Sequence, residues 1–335
     1  MSTELHPYQF LTPDAVLTAI EQLGHACDGR LQALNSYENR VFQIGIEDQP
    51  ALVAKFYRPG RWSAATILEE HRFTQELAAA DLAVIAPLAD AKGNTLPECT
   101  VAEGVRFLFA LYPSQGGRPP ELDRPEHLQQ LGRSLARLHN IGERQRFVER
   151  IDWTPDTIGL PALELLRQSR LIPPELADSF SAIAEAMLTG IAHCYERAGQ
   201  VKQLRLHGDC HPGNILVRDG QQWLLDFDDA CNGPAIQDLW LFLSGDREYM
   251  TARLDDLLRG YTEFRRFDAR ELHLVEALRG LRMLHHAAWI ARRWDDPAFP
   301  LAFPYFNGRR YWDELILSLR EQTGQLDEPP LAWYP

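Results

Sequence analysis

The chain has 335 residues, 45% of them apolar, and a formal net charge of −13. That length builds one large domain or two lobes with sizeable cores, and no apolar run reaches the ~18 residues that a membrane span needs. The acidic balance excludes a general nucleic-acid binder, whose affinity rests on neutralising phosphates. The pair Arg292 and Arg293 reads as a solvated helix face. Residues 1–10 lack the basic start and apolar stretch of a signal peptide, so a cytoplasmic location is expected, with no membrane partner. Five cysteines, Cys27, Cys99, Cys194, Cys210 and Cys231, form no C-x-x-C pair; reduced thiols are expected, and neither a disulfide framework nor a zinc site.

In chain order, residues 12–23 read as a helix, with Thr12 as N-cap, Pro13 in the first turn and Gly24 past the end. Residues 41–46 and 51–57 are rich in β-branched and aromatic side chains and read as a hairpin across the polar segment 47–50. A helix follows at 63–80, then a strand at 105–111. Residues 113–120, Pro-Ser-Gln-Gly-Gly-Arg-Pro-Pro, form the clearest linker. Beyond it helices dominate: 125–139, 161–168, 175–197 and several stretches within 238–322. The expected fold class is therefore α+β and bilobal: an antiparallel-sheet lobe with a helix over 1–112, a linker at 113–120, and a mostly helical lobe over 121–335. A ligand is expected between the lobes.

The strongest chemical signal is Leu206-His207-Gly208-Asp209-Cys210-His211-Pro212-Gly213-Asn214, followed by Leu224-Leu225-Asp226-Phe227-Asp228-Asp229. Apolar strands that end in clustered acids imply a cation, because buried unpaired charge is costly. Protein kinases place a catalytic Asp five residues before an Asn that holds Mg²⁺, with a further Mg²⁺-binding Asp in a D-F-G turn. Asp209 and Asn214 have that spacing, and Asp226-Phe227-Asp228 follows after a hairpin-length gap. Asp209 is the candidate proton acceptor, and Asn214 and Asp226 are the candidate Mg²⁺ ligands. Only three lysines occur, and Lys55 ends an apolar strand like the kinase V-A-I-K pattern, so it is the candidate ATP lysine. Glu70, with Glu69 as its rival, is the candidate acid that holds it. Asp228 and Asp229 read equally as acids supporting the metal ligands or as caps of the following turn. Cys210, His207 and His211 read as packing and bracing residues, although H-x-D-x-H also suggests a hydrolase metal cluster. Trp289 and Trp294 read as core.

The run H-G-D-x-H-x-x-N, then L-D-F-D-D, Gly233-Pro234 and Asp238-Leu239, resembles the aminoglycoside phosphotransferase and choline kinase group. Residues 35–41, 55–59, 205–211 and 292–294 resemble more closely the YihE-type family of bacterial stress response serine/threonine protein kinases, a likeness that runs from about residue 8 to 335. The resemblance implies ATP as donor, Mg²⁺, and transfer to Ser or Thr hydroxyls on proteins, including the enzyme itself. It also implies Ser36 in a loop over the phosphates and Asp238 bonded to the backbone of the 207–211 loop. The loop 35–40 has no glycine, so side chains of Ser36 and Asn39, or backbone N–H groups, must take that part. His207-Gly208-Asp209 lacks the arginine of H-R-D, which argues against switching by activation-loop phosphorylation. A monomer is expected. A small-molecule kinase of the same fold and a non-catalytic ATP-binding pseudokinase are the alternatives; an acidic acceptor groove would favour the first.

Overall fold

The computed structural model describes residues 6–101 and 104–334. Contacts divide the chain into two units, residues 1–120 with 213–228, and residues 121–212 with 229–335. Residues 213–228, which chain order assigns to the 121–335 stretch, thus group with the first unit.

The first unit holds a five-stranded antiparallel sheet in the order β1-β2-β3-β5-β4. Its strands are β1 (Cys27–Leu34), β2 (Arg40–Ile46), β3 (Gln49–Phe56), β4 (Glu98–Thr100) and β5 (Arg106–Pro113). The expected hairpin is β2–β3, with Val41 opposite Lys55. It turns at Asp48, whose φ of 55° places it in the left-handed region. Side chains alternate across the sheet, so Ala54 and Phe56 face one way into a core with Ile44, Phe107 and Phe109, where Phe56 and Phe109 stack at 5.0 Å. Val53 and Lys55 face the other way. Helix α1 (Pro13–Glu21) starts where the cap signal places it, Thr12 Oγ1 accepting from Ala15 N at 3.3 Å. Helix α2 (Ala64–Ala79) is capped by Ser63, and its buried stripe includes Ile67, Glu70, Thr74 and Leu77. A small hairpin of Ile215–Arg218 and Gln221–Leu224 completes this unit.

The second unit is helical: α3 (Pro125–Gly142), α4 (Leu160–Gln168), α5 (Pro174–Ala198), α6 (Arg247–Tyr261), α7 (Val275–Arg292), α8 (Ala298–Ala302) and α9 (Arg309–Gln325). It also has a two-stranded ladder of Leu204–Leu206 and Cys231–Gly233. Trp289 packs against Phe299 at 5.0 Å and Trp294 against Phe306 at 5.3 Å, but both are half-buried, so they border the core rather than lie within it as expected. Arg293 departs from the solvated face expected of it: it is buried, its guanidinium 5.9 Å from the Trp289 ring. A buried stem with the cation against an indole is a packed state that charge alone does not reveal. Among the described residues no helix is long and apolar enough to cross a membrane.

Glu271, just before α7, accepts a hydrogen bond from Ile236 N at 2.8 Å and is 3% exposed. Burial raises its pKa to about 7 from 4.5, against the Ile236 bond. Between those values the folded chain binds a proton that the unfolded chain releases, so stability falls as pH rises through the window. Urea unfolding at pH 5 and pH 7 is expected to show this decline in wild type, and a flatter profile in Glu271→Gln.

Candidate active site

Of the predicted residues in the first unit, Ser36, Lys55, Glu70 and Asp226 line one pocket of ≈ 240 Å³, and Asn39 and Asn214 do not. The alternation of β3 delivers Val53 and Lys55 to it, and α2 delivers Glu70 and Thr74 from the stripe that also buries Ile67. Val41, Leu216 and Leu225 give apolar walls, Ser36 lies at one edge, and Tyr112, Pro113 and Gln115 lie at another. Glu70 lines the pocket and Glu69, on another face of α2, does not. A larger cavity of ≈ 490 Å³ in the second unit holds none of the predicted residues, and its Arg197 and Arg247 are bonded to main-chain carbonyls of Leu326, Pro329 and Pro330.

Lys55 Nζ donates to Asp226 Oδ1 at 2.8 Å and lies 3.2 Å from Asp228 Oδ1. Burial works against its charge, but Asp226, then Asp228 and Glu70, outweigh it and hold the pKa well above the usual lysine value. Lys55 is therefore a fixed cation. Asp226 has φ = 60°, uncommon for a residue with a side chain, and its carboxylate is half exposed at the pocket. Backbone held in a sparse region at a pocket lip is a recurrent property of functional positions. Asn214 closes the base of the small hairpin, its carbonyl accepting from Leu225 N at 3.1 Å, so Asn214 and Asp226 hang from one rigid element.

Asp228, undecided from sequence, is buried at the centre of this unit's polar network. It accepts from Asn39 Nδ2 at 3.1 Å and from Arg61, besides facing Lys55. Asn39 departs from the nucleotide-gripping part expected of it: its amide oxygen accepts from Arg58 N at 3.1 Å, and its amide nitrogen is given to Asp228. Arg58 also ties Glu38 through its carbonyl at 3.0 Å and its carboxylate at 2.9 Å. A loop without glycine is thus held in place from behind by side chains, leaving Asn35 and Ser36 to face the pocket. Arg61, whose guanidinium anchors this arrangement, escaped the sequence reading, since an Arg after a Pro-Gly turn carries no partner signal.

In the second unit, Asp209 sits on a loop fixed by Asp238. The fully buried Asp238 accepts Gly208 N at 2.8 Å and His207 N at 2.9 Å, as the resemblance implied. His139 Nε2 lies 3.2 Å from Asp238 and its Nδ1 2.8 Å from Tyr261 Oη. A carboxylate only accepts, so Nε2 carries the proton; burial lowers the His139 pKa against the pull of Asp238. Gly208, at φ = 85°, could not bear a side chain: a Cβ would stand 2.0 Å from the Asp229 carbonyl oxygen. Gly208→Ala is expected to lower stability by roughly 3 kcal/mol, read as a lower Tm in circular dichroism.

Asp209 meets Arg282 Nη1 at 2.6 Å and His211 Nε2 at 3.4 Å. Burial pushes its carboxyl up, but the His211 bond and the Arg282 charge prevail and hold it well below the usual carboxylate range. Arg282, 73 positions downstream on α7, was not legible in the sequence. Cys210 is fully buried and its thiol is pushed up by burial, which fits packing rather than reactivity. All five cysteines are free thiols. Among the described residues no three His, Cys, Asp or Glu side chains converge as a metal-binding group, so H-x-D-x-H does not form a hydrolase-type cluster.

The profile of the phosphotransferase enzyme family matches residues 30–275. The chain belongs to that family. Stress response kinase A of Escherichia coli K12 is 41% identical over 341 aligned positions, covering all of this chain and 99% of the relative. Serine/threonine protein kinase RdoA of Salmonella typhimurium LT2 is 40% identical over 335 positions, with the same coverage. Among solved structures, the microcompartment-associated aminopropanol kinase superposes with a TM-score of 0.70 at 18% identity, covering 93% of this chain and 96% of that one. Amicoumacin kinase hAmiN, solved with AMP-PNP and Ca²⁺, gives 0.69 at 19% identity, covering 89% and 93%. The fold of this phosphotransferase is thus the α+β fold of those kinases.

Proposed function

We propose that this phosphotransferase is an ATP- and Mg²⁺-dependent serine/threonine protein kinase of the stress-response type. The observation that carries the nucleotide half is the buried Lys55 cation, paired with Asp226 at the mouth of an apolar-walled pocket. Apolar walls suit a purine ring, and a fixed cation suits the α- and β-phosphates. Ser36 covers the phosphates, and Glu70 supplies a second acid for Lys55 as phosphate displaces Asp226 from it. Asn39 acts at one remove, by holding the loop through Asp228. Asn214 and Asp226 offer an amide and a carboxylate oxygen from one hairpin, a hard donor set that fits Mg²⁺. When bound, that ion would neutralise charge on the phosphates.

Asp209 supplies the proton-accepting half. Its carboxylate stays ionised at neutral pH, and its loop is locked by Asp238 and Gly208. The γ-phosphorus–oxygen bond to ADP breaks, a bond to the acceptor oxygen forms, and the acceptor proton passes to Asp209. The protein-acceptor part of the reading is supported by the full-length likeness to the named kinases. The reading includes a monomeric cytoplasmic enzyme that acts neither on nucleic acid nor on membranes.

The test is transfer of γ-labelled phosphate from Mg²⁺-ATP in the presence of a mixed protein acceptor. Label on Ser or Thr is expected. A wild type that labels a hydroxyl metabolite and no protein would hand the chain to the small-molecule reading. One that binds ATP and labels neither would make it a pseudokinase.

A further inference from the structure

Arg282 makes less use of its guanidinium than Arg279 on the same helix. Arg279, one turn earlier on α7, is tied to the Leu243 carbonyl at 2.8 Å and to Glu276 at 3.0 Å. Arg282 gives one N–H to Asp209, and among the described residues its Nε and Nη2 meet no acceptor. Its side chain is 36% exposed, so this half of a planar fork faces solvent beside the candidate base. Such a fork matches a carboxylate or phosphate bidentately. Four residues on, and so on the same face of α7, His286 stacks on Trp289 at 5.7 Å. Desolvation, and then the charge of Arg282, lower the pKa of His286, which leaves it a neutral hydrogen-bonding group close to the guanidinium. Two of the groups set against Asp209, Arg282 and His211, are nitrogen donors. An amine-bearing acceptor would meet repulsion from Arg282, and an acidic one would meet an unspent fork.

We propose that Arg282 is a specificity-determining residue that selects acceptor segments with an acidic side chain next to the Ser or Thr, the acid taking Nε and Nη2 while Asp209 keeps Nη1. This deepens the protein-kinase reading and rests on it.

The experiment compares three Ser peptides that differ at the residues flanking the serine: Glu, Gln or Arg. Wild type, Arg282→Gln and Arg282→Lys are assayed by γ-label transfer, with KM and kcat separated. Wild type is expected to favour the Glu peptide over the Gln peptide about tenfold in kcat/KM, mostly through KM. Arg282→Gln should bring that ratio near one, with the KM for ATP unchanged. Arg282→Lys, which keeps the charge and loses the fork, should retain part of the preference. A structural role alone would lower all three peptides equally and leave the ratio intact, which would overturn the proposal. So would a wild type that phosphorylates the three peptides alike or prefers Arg, with the kinase reading left standing. Failure to label any peptide or protein would remove that reading, and this inference with it.

Discussion

Asp209→Asn is expected to lower turnover about 10³–10⁴-fold, the span that general-base positioning supplies in enzymes, while leaving ATP affinity within a factor of two or three. The substitution keeps the shape of the side chain and its hydrogen bond from Arg282, but takes away the acceptor of the hydroxyl proton. The nucleotide contacts of the proposal, Lys55, Ser36 and Asp226, lie in the other compact unit of the chain and are untouched. Titration of a fluorescent ATP analogue beside single-turnover transfer separates the two effects. A large loss of affinity with unchanged turnover would show that Asp209 belongs to the nucleotide grip. The pH profile adds an independent sign. Arg282 and His211 hold Asp209 ionised far into acid, so wild-type kcat should show no limb from this group above about pH 5. Removing the Arg282 charge raises the Asp209 pKa. In Arg282→Gln, activity should therefore fade at a higher pH than in wild type as acid is added.

The residues that were legible in the sequence are those whose chemistry fixes their spacing. Asp209 and Asn214 stand five apart, Asp226 ends a strand after a hairpin-length gap, and Lys55 ends an apolar strand, so each carries its context with it. The Thr12 and Ser63 caps and the β2–β3 hairpin were legible for the same local reason. Strand β1 was not, because most of its residues are exposed; it leaves neither an apolar alternation nor an apolar run. β4 spans three residues, too few to show any period. The long-range partnerships were also silent. Asn39 and Asp228 are 189 positions apart and Asp209 and Arg282 are 73 apart; an acid and its distant partner leave no joint mark on one chain. Asp228 shows the boundary well, since its position beside Asp226 suggested a cap and a supporting acid equally, and only burial distinguishes them.

Asp226 and Asp228 both touch Lys55, and they are expected to fail in opposite ways. Asp228→Ala should destabilise the fold by about 3–5 kcal/mol, the range for removing one partner from a buried ionic network. Its side chain is 6% exposed, and its loss would leave the Asn39 amide nitrogen without this acceptor and take a close carboxylate from Arg61. The loop 35–40 would lose one of its tethers with it and keep those from Arg58. Asp226→Ala removes a side chain that is 51% exposed, and the buried Lys55 keeps the Asp228 carboxylate 3.2 Å away, so the loss of stability should be only about 1 kcal/mol. Phosphate transfer should nevertheless collapse, because the half-exposed carboxylate is the donor that faces the pocket. Thermal unfolding and γ-label transfer on the two variants give a two-by-two result. A Tm drop confined to Asp228→Ala, with transfer lost in both, fits a buried scaffold acid beside an exposed working one. Equal Tm losses would mean that the exposure of Asp226 does not reflect how Lys55 is held. Retained transfer in Asp226→Ala would remove it from the metal-binding pair and leave Asn214 without its partner.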